Sequence, residues 1–408
     1  MASEQSYVII GAGLAGAKAA EALRERGFGG SITLIGNEEH LPYERPPLSK
    51  EYLAGQAERE SFDVHDAEWY DANHVALRLG KAANAIDRDL HEVALVDGSR
   101  LGYDGLLLAT GSRARSLALP GAGSHGTYTL RTVEDSERLA DLLSDHGRVA
   151  IIGGGWIGME VAANAAGRGA DVTVIEAAAL PLGTVLGPEL AQVFADLHRE
   201  HGVTFHLSAE VAEIMVSGSH ACGVKLSDGT AIEADAVVVA VGAQPNTELA
   251  SDAGLDVDNG VLVDETLQTS DPDIVAVGDI ANHQHPVLGR RVRVEHWANA
   301  LNQPAAAAAT MMGEPTPYTE LPYFFTDQYD LGMEYVGHAP PDAYTQVVTR
   351  GDVAGREFIA FWLDENRRVL AGMNVNVWDV VDDVKALILS GTPVDPDQLA
   401  DTAAPLPV

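Results

Sequence analysis

Val8-Ile9-Ile10-Gly11-Ala12-Gly13-Leu14-Ala15-Gly16 and Ala150-Ile151-Ile152-Gly153-Gly154-Gly155-Trp156-Ile157-Gly158 are two copies of one pattern in a chain of 408 residues. In each, a short apolar run ends in a glycine turn that opens an alanine-rich segment. Strand, glycine turn and helix in that order predict a phosphate-binding turn. The first glycine makes the tight turn, the second lets backbone approach a pyrophosphate, and the third packs helix on strand. The helix N-terminus adds unpaired N–H groups and the positive end of its dipole. One such turn predicts one bound dinucleotide. Two predict a pair, which is what passing hydride between a nicotinamide and a flavin requires.

Outward from the first turn, a helix is expected over 14–26, stopped by Gly27, and a strand over 31–35. The acid that binds ribose hydroxyls is sought about 20 residues beyond the glycines. Gly36 holds that place, so the reading moves on to Glu38, with Asn37 beside it. A merely solvated acidic turn is the alternative. Residues 148–176 repeat the unit, and Glu176 closes its second strand 18 residues after Gly158. No lysine or arginine lies between Glu176 and Arg199. A 2′-phosphate would meet a carboxylate and no cation, so NADH is expected over NADPH.

Further strands are expected over 236–241, leading to Gly242, and over 274–277, leading to Gly278-Asp279. The parse is α/β: a discontinuous FAD domain over 1–113 and 245–320, with an NADH domain over 114–244 between its halves. Both are Rossmann-like, in the manner of glutathione reductase. From 321 to 408 the texture changes to aromatic strands, such as 356–362, before a helix near 377–390, which predicts a small α+β domain.

Composition excludes several chemistries. The chain has one cysteine, Cys222, so no intrachain redox disulfide can form. Cys222 sits in an expected strand and reads as a small buried hydrophobe. A net charge of −34 opposes binding to nucleic acid or anionic membrane. The polar start lacks a secretory pattern and no run is long enough to span a bilayer, so a cytoplasmic location is expected. No metal-ligand spacing is found.

Eight segments now occur in order: Tyr43-Glu44-Arg45-Pro46-Pro47-Leu48-Ser49-Lys50, Ala109-Thr110-Gly111, Leu130-Arg131-Thr132, residues 153–160, residues 241–246, Val277-Gly278-Asp279, Glu295-His296-Trp297-Ala298-Asn299 and Asp327-Gln328-Tyr329. Together, over essentially the whole chain, they resemble the FAD-dependent, NADH-linked ferredoxin reductases of bacterial oxygenase systems. Rubredoxin reductases, putidaredoxin reductase and apoptosis-inducing factor are relatives of that group.

The resemblance implies residue roles. Gly11, Gly13, Leu14, Ala15 and Gly16 would hold the FAD pyrophosphate. Arg45 would lie near the adenine side and Lys50 beside the flavin ring. Ala83, Thr110, Gly111, Arg131, Gly278 and Asp279 would line the same cofactor, and Glu295, His296 and Trp297 its pyrimidine edge. Gly153, Gly155, Trp156, Ile157, Gly158, Glu176 and Gly242 would bind NADH. Glu160 would pair with Lys50, and these two are the expected catalytic residues. A cation there favours the reduced, more anionic ring, and a carboxylate orients that cation. The chain departs from its relatives at Ala114, at Thr184 where an arginine is common, and at Tyr323 and Phe325 where tryptophan is frequent.

The expected acceptor is an iron–sulfur ferredoxin, or a rubredoxin, that feeds an oxygenase. Such partners are usually acidic, so an acidic reductase needs a local basic patch. Arg290, Arg291 and Arg293 form the densest basic cluster, readable as a docking patch or as protection of a strand edge. Direct reduction of a quinone or other small molecule is the second reading. A redox-regulated binding protein is the third.

Overall fold

A computed structural model describes residues 5–143 and 147–407. Contacts group the chain into two compact units. The first comprises Met1–Glu44, Arg59–Arg113 and Gln244–Tyr323; the second comprises Arg45–Glu58, Ala114–Ala243 and Phe324–Val408. The segment carrying Arg45 and Lys50 therefore belongs with the second unit.

The first unit is built on a five-stranded parallel sheet. Its order is Ile274–Ala276, Gly105–Leu108, Ser6–Ile10, Ser31–Ile35, Val75–Arg78. Gly105, Leu106, Leu107 and Leu108 are all buried, the unbroken apolar run of a strand covered on both faces. The helix Leu14–Glu25 packs against the helix Trp297–Met311. Both faces are mostly alanine: Ala17, Ala19, Ala20, Ala307, Ala308 and Ala309 have no exposed surface, and small side chains let the backbones approach. The first helix ends at Arg26 and Gly27 follows at φ +82°, a left-handed position that glycine fills without strain.

The second unit repeats the plan in a sheet ordered Thr204–Leu207, Asp171–Glu176, Arg148–Ile152, Ala236–Val239, Thr127–Tyr128. A three-stranded antiparallel sheet, Val211–Ser217, His220–Leu226 and Ala231–Glu233, packs Ile214, Val224 and Ile232 into a core shared with Ile152, Ile175 and Val239. The same unit contains a five-stranded sheet, Tyr323–Gln328, Leu331–Gly337, Val369–Val375, Glu357–Leu363 and Gln346–Asp352, followed by the helix Val381–Ser390. Phe358, Phe361 and Trp362 are fully buried there.

One sequence expectation is corrected. Cys222 is half-buried, not buried. It lies on the strand His220–Leu226, where Ala221 and Val224 take the inward places and a register irregularity falls between Met215 and Val216 on the paired strand. Among the described residues no helix is long and apolar enough to cross a membrane, and no cluster could hold a metal ion.

Candidate functional site

In the first unit Gly11 ends its strand by donating to the Ile35 carbonyl at 2.8 Å. Its φ is +120°, and a Cβ there would lie 2.1 Å from the Ala109 carbonyl oxygen. A Cβ on Gly16 would lie 1.9 Å from the Gly11 oxygen. Two of the three glycines are thus imposed by packing. Gly13 is not: nothing stands within 4 Å of its missing side chain, and it caps the helix with no side-chain hydrogen bond. Open space above free helix N–H groups is a fit for a pyrophosphate. Leu14 and Ala15 are buried in the helix's first turn.

Asn37 is exposed, and half-buried Glu38 accepts from the Tyr43 hydroxyl at 2.5 Å. Thr110 is locked to Asn246 twice: Thr110 Oγ1 donates to the Asn246 carbonyl at 2.9 Å and Asn246 Nδ2 donates to the Thr110 carbonyl at 2.8 Å. Gly111 and Gly278 have φ of +63° and +74°, and the Gly278 N–H donates to Gln303 Oε1 at 2.7 Å. Asp279 is buried, and Ala83 is half-buried on Ala83–Asp87. His296 caps the helix Trp297–Met311, and Trp297 Nε1 donates to Glu44 Oε2 at 3.0 Å.

The arginine cluster does not stand free. Arg291 donates to the carbonyls of Val263 and Asn282, at 2.9 and 2.7 Å. Arg293, with a side chain 9% exposed, pairs with Glu295 at 2.6 Å and donates to the Asp279 carbonyl at 3.2 Å. Arg290 and Arg291 are both exposed, but among the described residues only Arg291 and Arg293 of the three make such bonds inside the unit.

In the second unit the backbone of the glycine turn is the same. Gly153 donates to the Ile175 carbonyl at 2.8 Å, and its φ is +107°. A Cβ on it would lie 2.3 Å from the Ala240 oxygen, and one on Gly158 2.1 Å from the Gly153 oxygen. Gly155 and Gly242 again face open space. Trp156 packs on Phe194 and Phe324, and Ile157 is 44% exposed. The Glu176 carboxylate accepts from the backbone N–H of Gly154 at 2.6 Å and of Ala178 at 2.7 Å. The acid is thereby fixed at the turn itself. Thr184 is exposed on the short helix Gly183–Leu186.

Lys50 and Glu160 meet in this unit. Lys50 Nζ lies 2.6 Å from Glu160 Oε1, and Glu160 is 3% exposed. Ser49 Oγ donates to Glu160 Oε2 and Thr326 Oγ1 to Oε1 at 2.5 Å. The ammonium lies 5.3 Å from the centre of the Phe325 ring, within cation–π reach. The turn Pro46–Ser49 that carries the lysine is held by Ser136 Oγ on the Leu48 carbonyl, 2.8 Å, and Asn164 Nδ2 on the Ser49 carbonyl, 2.7 Å. Arg45 donates to the Arg131 carbonyl. A buried ion pair must have its remaining lone pairs satisfied to be tolerated, and Ser49 and Thr326 do so. Sequence reading did not find either of them; no local pattern announces a partner 111 or 166 residues away.

Residues 5–304 match the family described as pyridine nucleotide-disulphide oxidoreductase, and residues 323–407 match a reductase C-terminal family. The chain belongs to the pyridine nucleotide-disulphide oxidoreductases. Within that family it is 43% identical over 400 residues to the ferredoxin–NAD(+) reductase component of an anthranilate 1,2-dioxygenase system from Burkholderia cepacia, covering 98% of each. It is 41% identical to rhodocoxin reductase from Rhodococcus erythropolis, covering 97% of this chain and 92% of that one. Putidaredoxin reductase, seen in a covalent complex with putidaredoxin, superposes with a TM-score of 0.94 at 39% identity, covering 98% and 97% of the two chains. A ferredoxin reductase from Rhodopseudomonas palustris gives 0.93 at 37% identity, covering 98% of each. The protein is an oxidoreductase of FAD and NAD, and its single cysteine cannot form an intrachain disulfide.

Proposed function

We propose that this protein is an NADH:ferredoxin reductase that supplies electrons to an oxygenase. The observation that carries the reading is the duplicated turn, each copy leaving its middle glycine open to a pyrophosphate. Resemblance over nearly the full chain to ferredoxin–NAD(+) reductase components of dioxygenase systems supports the choice of acceptor.

The first unit's turn, with Glu38, Thr110 and Asp279, would hold FAD, and the second unit's turn, with Glu176, would hold NADH. When bound, the flavin takes hydride and gives electrons up singly. The protein's share is orientation and charge. Gly11, Gly16, Gly153 and Gly158 shape the two cradles. Glu176 orients a ribose and rejects a 2′-phosphate. Lys50, anchored on Glu160, supplies the positive charge that favours the reduced ring. Arg45 and Arg131 belong to the FAD set through the resemblance, as do Ala83, Glu295, His296 and Trp297. A cytoplasmic location suits a donor of this kind.

The acceptor is an acidic iron–sulfur protein, and Arg290 is the residue of its cluster available for docking. Arg290→Glu should slow reoxidation by ferredoxin about twofold to fivefold at low salt, as expected for one exposed charge, with flavin bleaching by NADH unchanged. The decisive measurement is stopped-flow reoxidation of the NADH-reduced protein. Rapid reoxidation by an iron–sulfur ferredoxin, against slow reaction with quinones and oxygen, is the expected result. Fast quinone reduction with every ferredoxin inert would replace this reading with that of a small-molecule reductase.

A further inference from the structure

Glu160 is also the end of a buried file of side chains within the second unit. Thr326 and Gln328 stand two apart on the strand Tyr323–Gln328, so both leave it on one face. His198 comes from the helix Pro188–Glu200, and Tyr329 follows the strand directly. Thr326 Oγ1 lies 2.5 Å from Glu160 Oε1, and Gln328 Nε2 lies 3.2 Å from Thr326 Oγ1. Gln328 Oε1 lies 2.8 Å from His198 Nε2, and the Tyr329 hydroxyl 3.3 Å from His198 Nδ1. Thr326, Gln328 and His198 have at most 1% of their surface exposed.

Donor chemistry fixes the direction of every link. Threonine has one hydroxyl hydrogen, and the carboxylate, which only accepts, takes it. Thr326 Oγ1 must then accept from Gln328, which sets the amide with its NH2 toward the threonine. The amide carbonyl therefore faces His198, and Nε2 must carry the imidazole proton. Burial holds His198 neutral, its pKa lowered to about 4, so Nδ1 is bare and accepts from Tyr329. Burial pushes the Tyr329 phenol up, keeping it a donor. All four donors point toward Glu160. A primary amide in mid-file cannot hand a proton onward without changing tautomer, so the file orients and does not conduct.

We propose that Thr326, Gln328 and His198 are positioning residues that fix the Glu160 carboxylate and, through it, the Lys50 ammonium. Ser49 pins one carboxylate oxygen; the file pins the other, and the plane of the carboxylate sets where the ammonium rests. This rests on the reading of Lys50 as the charge that tunes the flavin. Thr326→Val keeps the side chain's shape and removes only the hydroxyl. In the FAD-loaded protein it should lower the flavin midpoint potential, in the same direction as Lys50→Met and by less. Flavin bleaching by NADH should slow about tenfold, the size of one hydrogen bond to a charged group. Thr326→Ser should restore both values. His198→Leu should lower the potential by less than Thr326→Val, and His198→Gln, which keeps an N–H, should recover it. A Thr326→Val protein with the parent's potential, beside a Lys50→Met protein whose potential falls, overturns the proposal and leaves the reading of Lys50 intact. An unchanged potential in Lys50→Met overturns both. Should Thr326→Val fail to retain flavin, the His198→Leu and His198→Gln pair decides, equal potentials in the two counting against the file.

Discussion

In the first glycine turn the residue after the leading glycine is Ala12, and the strand-end residue facing it is Gly36, where a Cβ would fall 2.5 Å from the Ala12 methyl. In the second turn the same two places are Gly154 and Glu176. The carboxylate bonds the Gly154 N–H at 2.6 Å, and a Cβ on Gly154 would lie 3.1 Å from that oxygen and 2.9 Å from Pro181 Cβ. The contact has room for one side chain. Where the turn carries a methyl, the strand must end in glycine, and the acid proposed for the ribose is Glu38, two residues on and bonded by Tyr43. Where the strand ends in the acid, the turn must be bare. On the proposed assignment, the spacing between fingerprint and acid follows from which partner fills the contact.

Breaking the turns themselves should give the largest effects. Gly11→Ala and Gly153→Ala place a Cβ against a carbonyl oxygen on backbone of positive φ, a cost of about 3 kcal/mol. Gly11→Ala should purify without flavin. Gly153→Ala should purify yellow, and titration of its bleaching should require about a hundredfold more NADH. A colourless Gly153→Ala beside a yellow Gly11→Ala would reverse the assignment of the two copies.

An intermediate effect should sharpen the contrast at the acids. Glu176→Gln removes the charge from two backbone N–H bonds, each worth about 1.5–3 kcal/mol when the acceptor is ionised. The ratio of kcat/KM for NADH over NADPH should fall by about tenfold, and further in Glu176→Arg. Glu38→Gln should leave that ratio where it was. If Glu176→Arg keeps the parent's preference, the ribose is held elsewhere.

The smallest effect is shared by both units. Each buries a histidine whose pKa desolvation lowers to about 4, His283 in the first and His198 in the second. The folded value lies below the unfolded one of about 6.5, so the unfolded chain binds more protons between the two. The stability these groups contribute is complete above about pH 6.5 and is lost as pH falls toward 4. Thermal midpoints should drop by a few degrees across that window. The difference between the parent and His198→Gln isolates the effect from relief of carboxylate repulsion in a chain of net charge −34. A parent and variant that fall in parallel would show that His198 is not the source.

The duplicated turns were legible because their glycines answer local steric demands that every such turn makes. Lys50 and Glu160 were legible as a pair only through resemblance to a family, since nothing near either residue in the chain points to the other. The bonds of Ser49 and Thr326 to Glu160 and of His198 to Gln328 were not legible for the same reason: each partner lies more than 100 residues along the chain. The sequence did not announce the bonds of the arginines at 291 and 293: Arg291, though exposed, donates to the Val263 and Asn282 carbonyls, and Arg293 pairs with Glu295. The alternating pattern of His220–Leu226 likewise did not reveal the irregular pairing beside Cys222.

That residue has a practical consequence. With a single sulfhydryl, partly accessible on a small sheet of the second unit, the unmodified molecule can accept one maleimide fluorophore at one known address. Such a label needs no engineered cysteine and leaves no ambiguity about which position carries it.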